Sequence, residues 1–355
     1  MYDPQPTALR PAPTKAERAR RTFMSLHSPT PRLLGALGII AILVAAGCSG
    51  DDTTSEQSDS GSSGDRAAVV TGLVDDVVGP AHRTAAAAAT TARTAVHDAC
   101  PASGAPPSAE VVQAARAAAA AGNEAWEVLD PIDAGPIMER RTGSLVGYKV
   151  DPAAVDQVLA TAPPSDVETV TERTASPRRG YGALMHLLST DPATFPGPRC
   201  AYATAVVDTI DGALAMVVDD WYEASPSYVD RAAGRAEDAI SAQDNIDSWV
   251  NMSLSTLESD LKLLADPESQ AAAMDPTRQH LLTIQNLWDD DAAGLGSLAS
   301  DEVEAKLSAE LETAIAAADP AALSTAVEAV RSTLGTEVVS ALDVTVGFSE
   351  NDGDS

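Results

Sequence analysis

Apolar residues recur at intervals of three and four along the second half of the chain. The clearest stripe lies within Cys200–Tyr222 and consists of Val207, Ile210, Leu214, Val217 and Trp221. Three further stripes follow the same rule, and they begin at Leu254, Val303 and Leu323. This spacing places apolar side chains on one face of an α-helix, and that face is buried against a neighbour in a folded protein. Four such faces predict a set of packed helices.

The earlier part of the chain is also helical by pattern. Two long alanine-rich segments, Ala67–Ala99 and Ala109–Val128, flank a turn rich in Pro, Gly and Ser at Pro101–Ser108. Aromatic residues make up only 4% of the sequence, which favours helices over strands. We therefore predict an all-α fold of antiparallel bundles. Prolines break up the middle of the chain, where Asp130–Val150 and Arg173–His186 are the segments least explained by core packing.

The N-terminal segment has the order of an export signal. Arg32 precedes about fifteen apolar or small residues, Leu33–Gly47, which end at Cys48. We predict that residues 1–47 are a signal peptide and that Cys48 carries lipid. An ordinary signal peptide or an uncleaved anchor is the alternative. A start at Met24 would shorten the signal, and Arg20–Met24 resembles a twin-arginine export motif.

Residues 48–66 contain the lipidated cysteine and a segment of Ser, Gly and Asp without an apolar anchor, which predicts a disordered linker. The folded domain is predicted to span residues 67–355. Residues 1–47 hold six basic and two acidic side chains, so removing them changes the net charge from −29 to −33. Such a surface repels nucleic acid and anionic lipid, and we expect the lipid anchor to be the only membrane attachment.

The other two cysteines form an even pair. If the chain is exported and Cys48 is acylated, Cys100 and Cys200 remain in an oxidising compartment. We predict a disulfide between them, with two buried thiols as the alternative. The sequence has no C-x-x-C pair or Cys/His cluster at zinc-ligand spacing.

Five landmarks occur in order along the chain: Ala125-Trp126, Gly135-Pro136, Gly180–Leu188 (GYGALMHLL), Arg199–Tyr202 and the closing Leu342–Asp354. Together they resemble the imelysin family, also called insulin-cleaving membrane proteases. The resemblance implies two helical bundles related by internal duplication and a site near their junction. It also implies a cell-envelope role, similar to that of lipoproteins and periplasmic iron-uptake components.

The family's G-x-H-x-x-E motif is degenerate in this chain. Gly180 fits its leading glycine, but Gly182 occupies the histidine position and Met185 the glutamate position. A glycine offers no ligand, and a thioether is a poor ligand for hard cations and cannot accept a proton. We therefore expect no enzyme activity, no cofactor and no tightly bound iron or zinc in the domain.

A ligand-binding site is predicted around the middle segments. Its candidate residues are Trp126, Gly135, Pro136, Arg140, Tyr181, Gly182, Met185 and His186. His82, His97 and His280 are dispersed on predicted helices and are interpreted as surface or satisfied core residues.

Three functions follow. The first is a non-enzymatic envelope lipoprotein that binds an unknown small ligand or envelope protein, as an accessory to iron or haem uptake. The second is a structural or interaction lipoprotein without a small ligand, and the third is a metallopeptidase. A concave polar junction between the bundles would favour the first function, and a junction filled by side chains the second. Three histidines or carboxylates gathered in space would favour the third.

Overall fold

Helices and turns make up the part of the chain that the computed structural model describes. That part comprises residues 59–101, 105–147, 149–189, 197–289 and 294–347, with side chains from Asp65 onward. These residues belong to one compact unit, Ser55–Ser355. The predicted signal peptide and Cys48 lie outside the described residues, as do residues 348–355. No β-strand occurs within the described ranges, and the all-α prediction is confirmed.

The helices are labelled here in chain order. They are α1 Asp59–Leu73, α2 Gly79–Ala99, α3 Ala109–Glu127, α4 Pro136–Glu139, α5 Gly143–Val146, α6 Pro152–Thr161, α7 Val167–Arg173, α8 Gly180–Leu188, α9 Pro198–Tyr222, α10 Tyr228–Ala232, α11 Ala242–Ala265, α12 Gln270–Asp289, α13 Asp301–Ile315, α14 Pro320–Thr333 and α15 Val339–Ala341. A π-helical turn, Val74–Val78, joins α1 to α2, and a second one, Leu334–Val338, joins α14 to α15.

Polar caps set many of the helix starts. In each case the side chain of the residue before the helix accepts a backbone N–H from the first turn, which satisfies a donor that the helix leaves free. The capping residues are Ser108, Asp151, Asp166, Ser227, Ser241, Ser300 and Asp319.

The first group consists of the four helices α2, α3, α8 and α9, and small residues line their contacts. Helix α2 packs against α3 and α9, and α8 packs against the same two helices. The inward faces of α2 and α3 carry fully buried alanines at 85, 89, 92, 115 and 119. Short side chains let helix axes approach closely. The alanine-rich segments therefore form the tightest part of the core.

The second group consists of α11, α12, α13 and α14. Each of these helices packs against the next, and α11 closes the group by packing against α14. The four apolar stripes predicted from the sequence lie on α9, α11, α13 and α14. Two four-helix groups agree with the predicted pair of bundles, whereas their relation by internal duplication stays a prediction.

The boundary between linker and domain falls earlier than predicted. Helix α1 already begins at Asp59, inside the segment 48–66 that the sequence predicted to be disordered. Two contacts explain the extension. Val69, Val70 and Leu73 are buried in the core, and Arg66 Nη2 lies 3.1 Å from Asp343 Oδ2 near the other end of the chain.

A buried arginine holds the proline-rich middle together. Arg179 precedes α8 and is only 9% exposed. Its guanidinium donates to the carbonyl oxygens of Ser144 at 2.8 Å and Thr171 at 2.7 Å. Burial lowers the pKa of Arg179 from its usual range. Because it bridges α5, α7 and the start of α8, this residue ties three short helices of the middle segment together.

Helix α9 is long and apolar enough to cross a membrane by length and composition. It is the one helix of the described residues with this property, and 56% of its most apolar window is buried inside the protein. Its apolar face packs on α2 and α8. We therefore interpret α9 as a central core helix.

Cys100 and Cys200 form a disulfide, as predicted. Their Cα atoms are 5.4 Å apart and 100 residues apart in sequence. The bond ties the C-terminal end of α2 to the first turn of α9. The bond therefore links two helices of the first group that the whole middle segment separates in sequence.

We expect replacement of both cysteines by serine to lower the free energy of unfolding by about 4 kcal/mol, because a loop of 100 residues is no longer closed in the unfolded chain. Urea unfolding monitored by circular dichroism measures the change. Reduction of the parent protein should move its midpoint toward that of the double variant. Equal midpoints for the oxidised parent and the double variant would contradict the expectation.

His82 is a buried histidine in the first helix group. Its ring lies 4.5 Å from that of Trp221, and its Nδ1 donates to the carbonyl oxygen of Val78 at 2.7 Å. Its Nε2 is buried without a hydrogen-bond partner. Burial lowers the pKa of His82 to about 4, against the smaller opposing effect of the Val78 hydrogen bond. The folded protein therefore keeps this side chain neutral.

This pKa predicts an acid-sensitive stability. Below pH 6.5 the unfolded chain takes up a proton at His82 and the folded protein does not, so stability falls as the pH drops toward 4. A His82→Leu variant lacks this dependence. Between pH 7.5 and pH 4.5, the difference in unfolding free energy should shift in favour of the variant by roughly 2–3 kcal/mol. A difference that does not change with pH would refute this assignment.

Candidate functional site

The junction between the two helix groups is formed by the end of α3 and the turn after it. Glu127 is the last residue of α3, and a 3₁₀ turn, Asp130–Ile132, follows. This turn packs against α11, and α3 packs against α12. The Thr283 hydroxyl of α12 donates to the carbonyl oxygen of Val128 at 3.1 Å. The chain from 127 to 132 is therefore fixed against the second helix group.

A buried histidine faces this turn from the second group. His280 lies on α12 and its side chain is 5% exposed. Its Nδ1 lies 2.9 Å and 3.1 Å from the two carboxylate oxygens of Asp260 on α11. The Asp260 side chain is itself 3% exposed. Burial of both groups is tolerable because they pair and hydrogen-bond with each other.

The other nitrogen of His280 points toward the first group. Nε2 lies 3.5 Å from Glu127 Oε2 and 3.5 Å from Asp130 Oδ2, and it makes no hydrogen bond. Asn123 Nδ2 donates to Glu127 Oε1 at 3.2 Å, which leaves Oε2 directed at the imidazole. One ligand atom from each of Glu127, Asp130 and His280 lies within 4.8 Å of the others, so these three residues could hold a metal ion.

The environment perturbs the acidity of this cluster. Burial raises the pKa of Asp130 to about 7 against the opposing charge of His280. Burial also raises the pKa of Asp133 to about 7, and one of its carboxylate oxygens is buried without a partner. For His280, burial lowers the pKa, but the hydrogen bond to Asp260 and the nearby negative charges of Glu127, Asp130 and Asp260 outweigh it and raise the pKa to about 10. Carboxylates and an imidazole thus share one partly closed volume.

The site residues predicted from the sequence do not gather at this cluster. Tyr181 is fully buried beneath α3, where a side chain at Gly122 would lie 2.6 Å from its hydroxyl oxygen. Trp126 is also buried, and a Cβ at Gly147 would lie 2.0 Å from its Nε1. Both aromatic rings therefore pack inside the protein.

The predicted Gly-Pro turn is structural as well. Gly135 has a φ of +65°, and a Cβ there would lie 2.2 Å from the ring of Tyr228. Pro136 is buried as the first residue of α4. A glycine is needed here because both the backbone conformation and the close aromatic ring exclude a side chain.

The predicted polar candidates have separate partners. Arg140 forms a two-pronged ion pair with Asp220 on α9, with Nη2 2.8 Å from Oδ1. His186 on α8 lies 2.9 Å from Asp156 on α6, and its side chain is 23% exposed. These contacts place the two residues on different surfaces. A ligand-binding role for them stays a prediction.

The residues of the degenerate motif pack against neighbouring parts of the chain. A Cβ at Gly182 would lie 2.9 Å from the Cβ of Val150, so a larger side chain would have to displace the chain before α6. Met185 is partly buried and packs against the apolar core. Helix α8 thus uses these two positions for contacts with its neighbours.

Reasoning from sequence missed His280, Asp260, Glu127 and Asp130 as a group. One signal was available on the helices themselves. His280 lies on the same face of α12 as Ile284 and Leu287, and Asp260 lies on the same face of α11 as Leu257 and Leu264. A charged group on a buried face needs a partner. The identity of that partner could not be inferred from local spacing.

The comparisons with known proteins agree with this architecture. The family model described as Imelysin, of peptidase family M75, matches residues 78–342. A crystal structure of an imelysin-like protein from Psychrobacter arcticum 273-4 has a TM-score of 0.64 and 20% identity, and the match covers 81% of this chain and 98% of that one.

A second crystal structure shares the fold, that of a "putative iron-regulated protein A precursor" from Parabacteroides distasonis ATCC 8503. It has a TM-score of 0.62 and 15% identity, with coverage of 79% of this chain and 95% of that one. No curated protein matches the chain. Since the imelysin model matches residues 78–342, most of the chain, this protein belongs to the imelysin family.

Proposed function

We propose that this protein is a cell-envelope lipoprotein that binds a ligand at the junction of its helix groups and serves iron or haem uptake without acting as an enzyme. The observation that carries the proposal is the polar cluster of Glu127, Asp130 and His280 at that junction. A junction that is filled by apolar side chains would instead favour a purely structural role. The description of the Parabacteroides distasonis protein as iron-regulated supports the link to iron.

The location follows from the first fifty residues. The basic residue, apolar segment and Cys48 together have the order of a lipoprotein signal. A net charge of −33 on the chain that begins at Cys48 opposes adsorption to anionic lipid, so the acyl anchor would hold the protein at the membrane. The protein would thus face the space outside the cytoplasm.

The non-enzymatic character rests on the motif on α8. Gly182 and Met185 supply neither an imidazole nor a carboxylate, and Val150 fills the space beside Gly182. A metallopeptidase is the second candidate, favoured by the gathering of one histidine and two carboxylates in space. Cleavage of peptide substrates that depends on added Zn²⁺ and is lost in Glu127→Gln would favour this candidate over the proposal.

Membrane attachment is tested by removing residues 1–48, which takes away both the signal segment and the acylated cysteine. We expect the parent protein to sediment with membranes in high salt and the truncated domain to be recovered in the soluble fraction, because no acyl chain is attached. Ser49→Ala in the full chain is the matched control and should sediment like the parent. A truncated domain that stays with the membranes in high salt would remove the single-anchor proposal.

The role in uptake is tested in the producing cell. A strain without this gene, grown with a metal chelator, should contain less iron than the parent strain, and the intact gene should restore the content. Elemental analysis of washed cells gives the measurement, with zinc and manganese measured in the same samples. Equal contents of all three metals in both strains would contradict a role in metal acquisition.

A further inference from the structure

We propose that Glu127, Asp130 and His280 bind one divalent transition-metal ion, with Asp260 orienting the imidazole. The inference deepens the proposed function, since it names the class of ligand that the junction takes. The site is built from both helix groups and uses neither Gly182 nor Met185. It therefore lies outside the motif from which the sequence predicted an absence of metal.

The distances suit coordination better than hydrogen bonding. Nε2 of His280 is 3.5 Å from a carboxylate oxygen of Glu127 and 3.5 Å from one of Asp130. Ligands about 2.1 Å from a tetrahedral metal ion are separated from one another by about 3.4 Å. Both distances from Nε2 match this separation between two ligand atoms. A cation placed between the three atoms would thus need only small side-chain movements.

A buried ring nitrogen without a hydrogen-bond partner points into the cluster. His280 is 4% exposed, and its Nε2 makes no hydrogen bond. A buried polar atom that lacks a partner costs free energy, so most such atoms in native proteins have a partner or a role. A metal ion at this position would accept the lone pair of Nε2 and satisfy it.

Asp260 has the geometry of a positioning residue. Its carboxylate accepts the Nδ1 proton of His280 at 2.9 Å, which leaves Nε2 as the coordinating atom. Metal-bound histidines commonly donate their second ring nitrogen to a carboxylate in this way. Asp260 contacts Nδ1, whereas Glu127 and Asp130 lie near Nε2. We therefore assign Asp260 a role in orienting the imidazole.

The balance of charge favours a cation. Three carboxylates, those of Glu127, Asp130 and Asp260, lie within 3.5 Å of the nitrogens of one imidazole. When all three carboxylates are ionised, even a protonated imidazole would offset only one of their three negative charges. A divalent ion beside the neutral imidazole would offset two, in a volume where unpaired charge is costly.

The donor set selects the class of metal. Imidazole nitrogen suits Zn²⁺ and Fe²⁺, and carboxylate oxygen also suits Mn²⁺. Mg²⁺ and Ca²⁺ prefer oxygen ligands alone. We therefore expect Zn²⁺, Fe²⁺ or Mn²⁺ to bind in preference to Mg²⁺ and Ca²⁺. Access is from the carboxylate side, where Asp130 is 37% and Glu127 23% exposed while His280 is closed off.

The test is equilibrium dialysis of the full chain in detergent against Zn²⁺, with Co²⁺ absorption as a second readout of an imidazole ligand. We expect one equivalent of Zn²⁺ in the parent. Glu127→Gln and Asp130→Asn should each weaken binding at least about 100-fold, and Asp260→Asn by about 10- to 100-fold. Circular dichroism and the unfolding midpoint verify that each variant is folded.

The matched control is His97→Gln. His97 also pairs with a carboxylate, that of Asp208, at 2.9 Å, but it lies outside the cluster. This variant should bind Zn²⁺ as the parent does. Glu127 and Asp130 are partly exposed, so their amide variants keep the test valid even if a buried His280 variant fails to fold.

Two results would overturn the site. One is an absence of stoichiometric Zn²⁺, Fe²⁺ or Mn²⁺ binding by the folded parent. The other is binding that Glu127→Gln and Asp130→Asn leave unchanged. A strain with altered iron content and a protein with no metal at this cluster would remove the site but keep the uptake role. Binding at the cluster with unchanged cellular metal contents would keep the site but remove the uptake role.

Discussion

The hydrogen-bonded pair of His280 and Asp260 is the interaction on which the junction depends. Both side chains are almost fully buried, and each would be costly to bury alone. Apolar helix faces tolerate small shifts, whereas this pair has one favourable geometry. The free face of the imidazole then meets Glu127 and Asp130, at the end of α3 and in the turn after it. Charge therefore fixes where the second helix group meets the first.

The residues that pack and the residues that form the candidate site are not those that the family motif implies. Helix α8 retains the small and apolar pattern of that motif, and its residues pack on α3 and α9. Gly182 lies against Val150, and Tyr181 lies against Gly122. The charged side chains that gather in space lie instead at the end of α3 and in the next turn, and on α11 and α12. The same fold thus keeps its architecture while the candidate site moves to other helices.

Much of the fold could be predicted because helices report their buried faces locally. The stripe from Val207 to Trp221 lies on α9, and its five apolar residues are buried there. Trp126, Trp249 and Trp288 are also buried in the core. The pairing of Cys100 with Cys200 followed from an even cysteine count in a chain predicted to be exported. The start of α1 did not follow, because the contact of Arg66 with Asp343 joins residues at opposite ends of the domain.

By itself the sequence determined the class of fold, the helix faces, the disulfide and the family landmarks, because each depends on spacing within one segment or on counting residues. Only the tertiary structure decided what the charged residues do. Glu127 and His280 are more than 150 positions apart, and they meet because α3 packs on α12. Arg140 and His186 were equally prominent in the sequence but pair with Asp220 and Asp156 elsewhere. Coulomb and coordination interactions act through space, so no local pattern could distinguish the two outcomes.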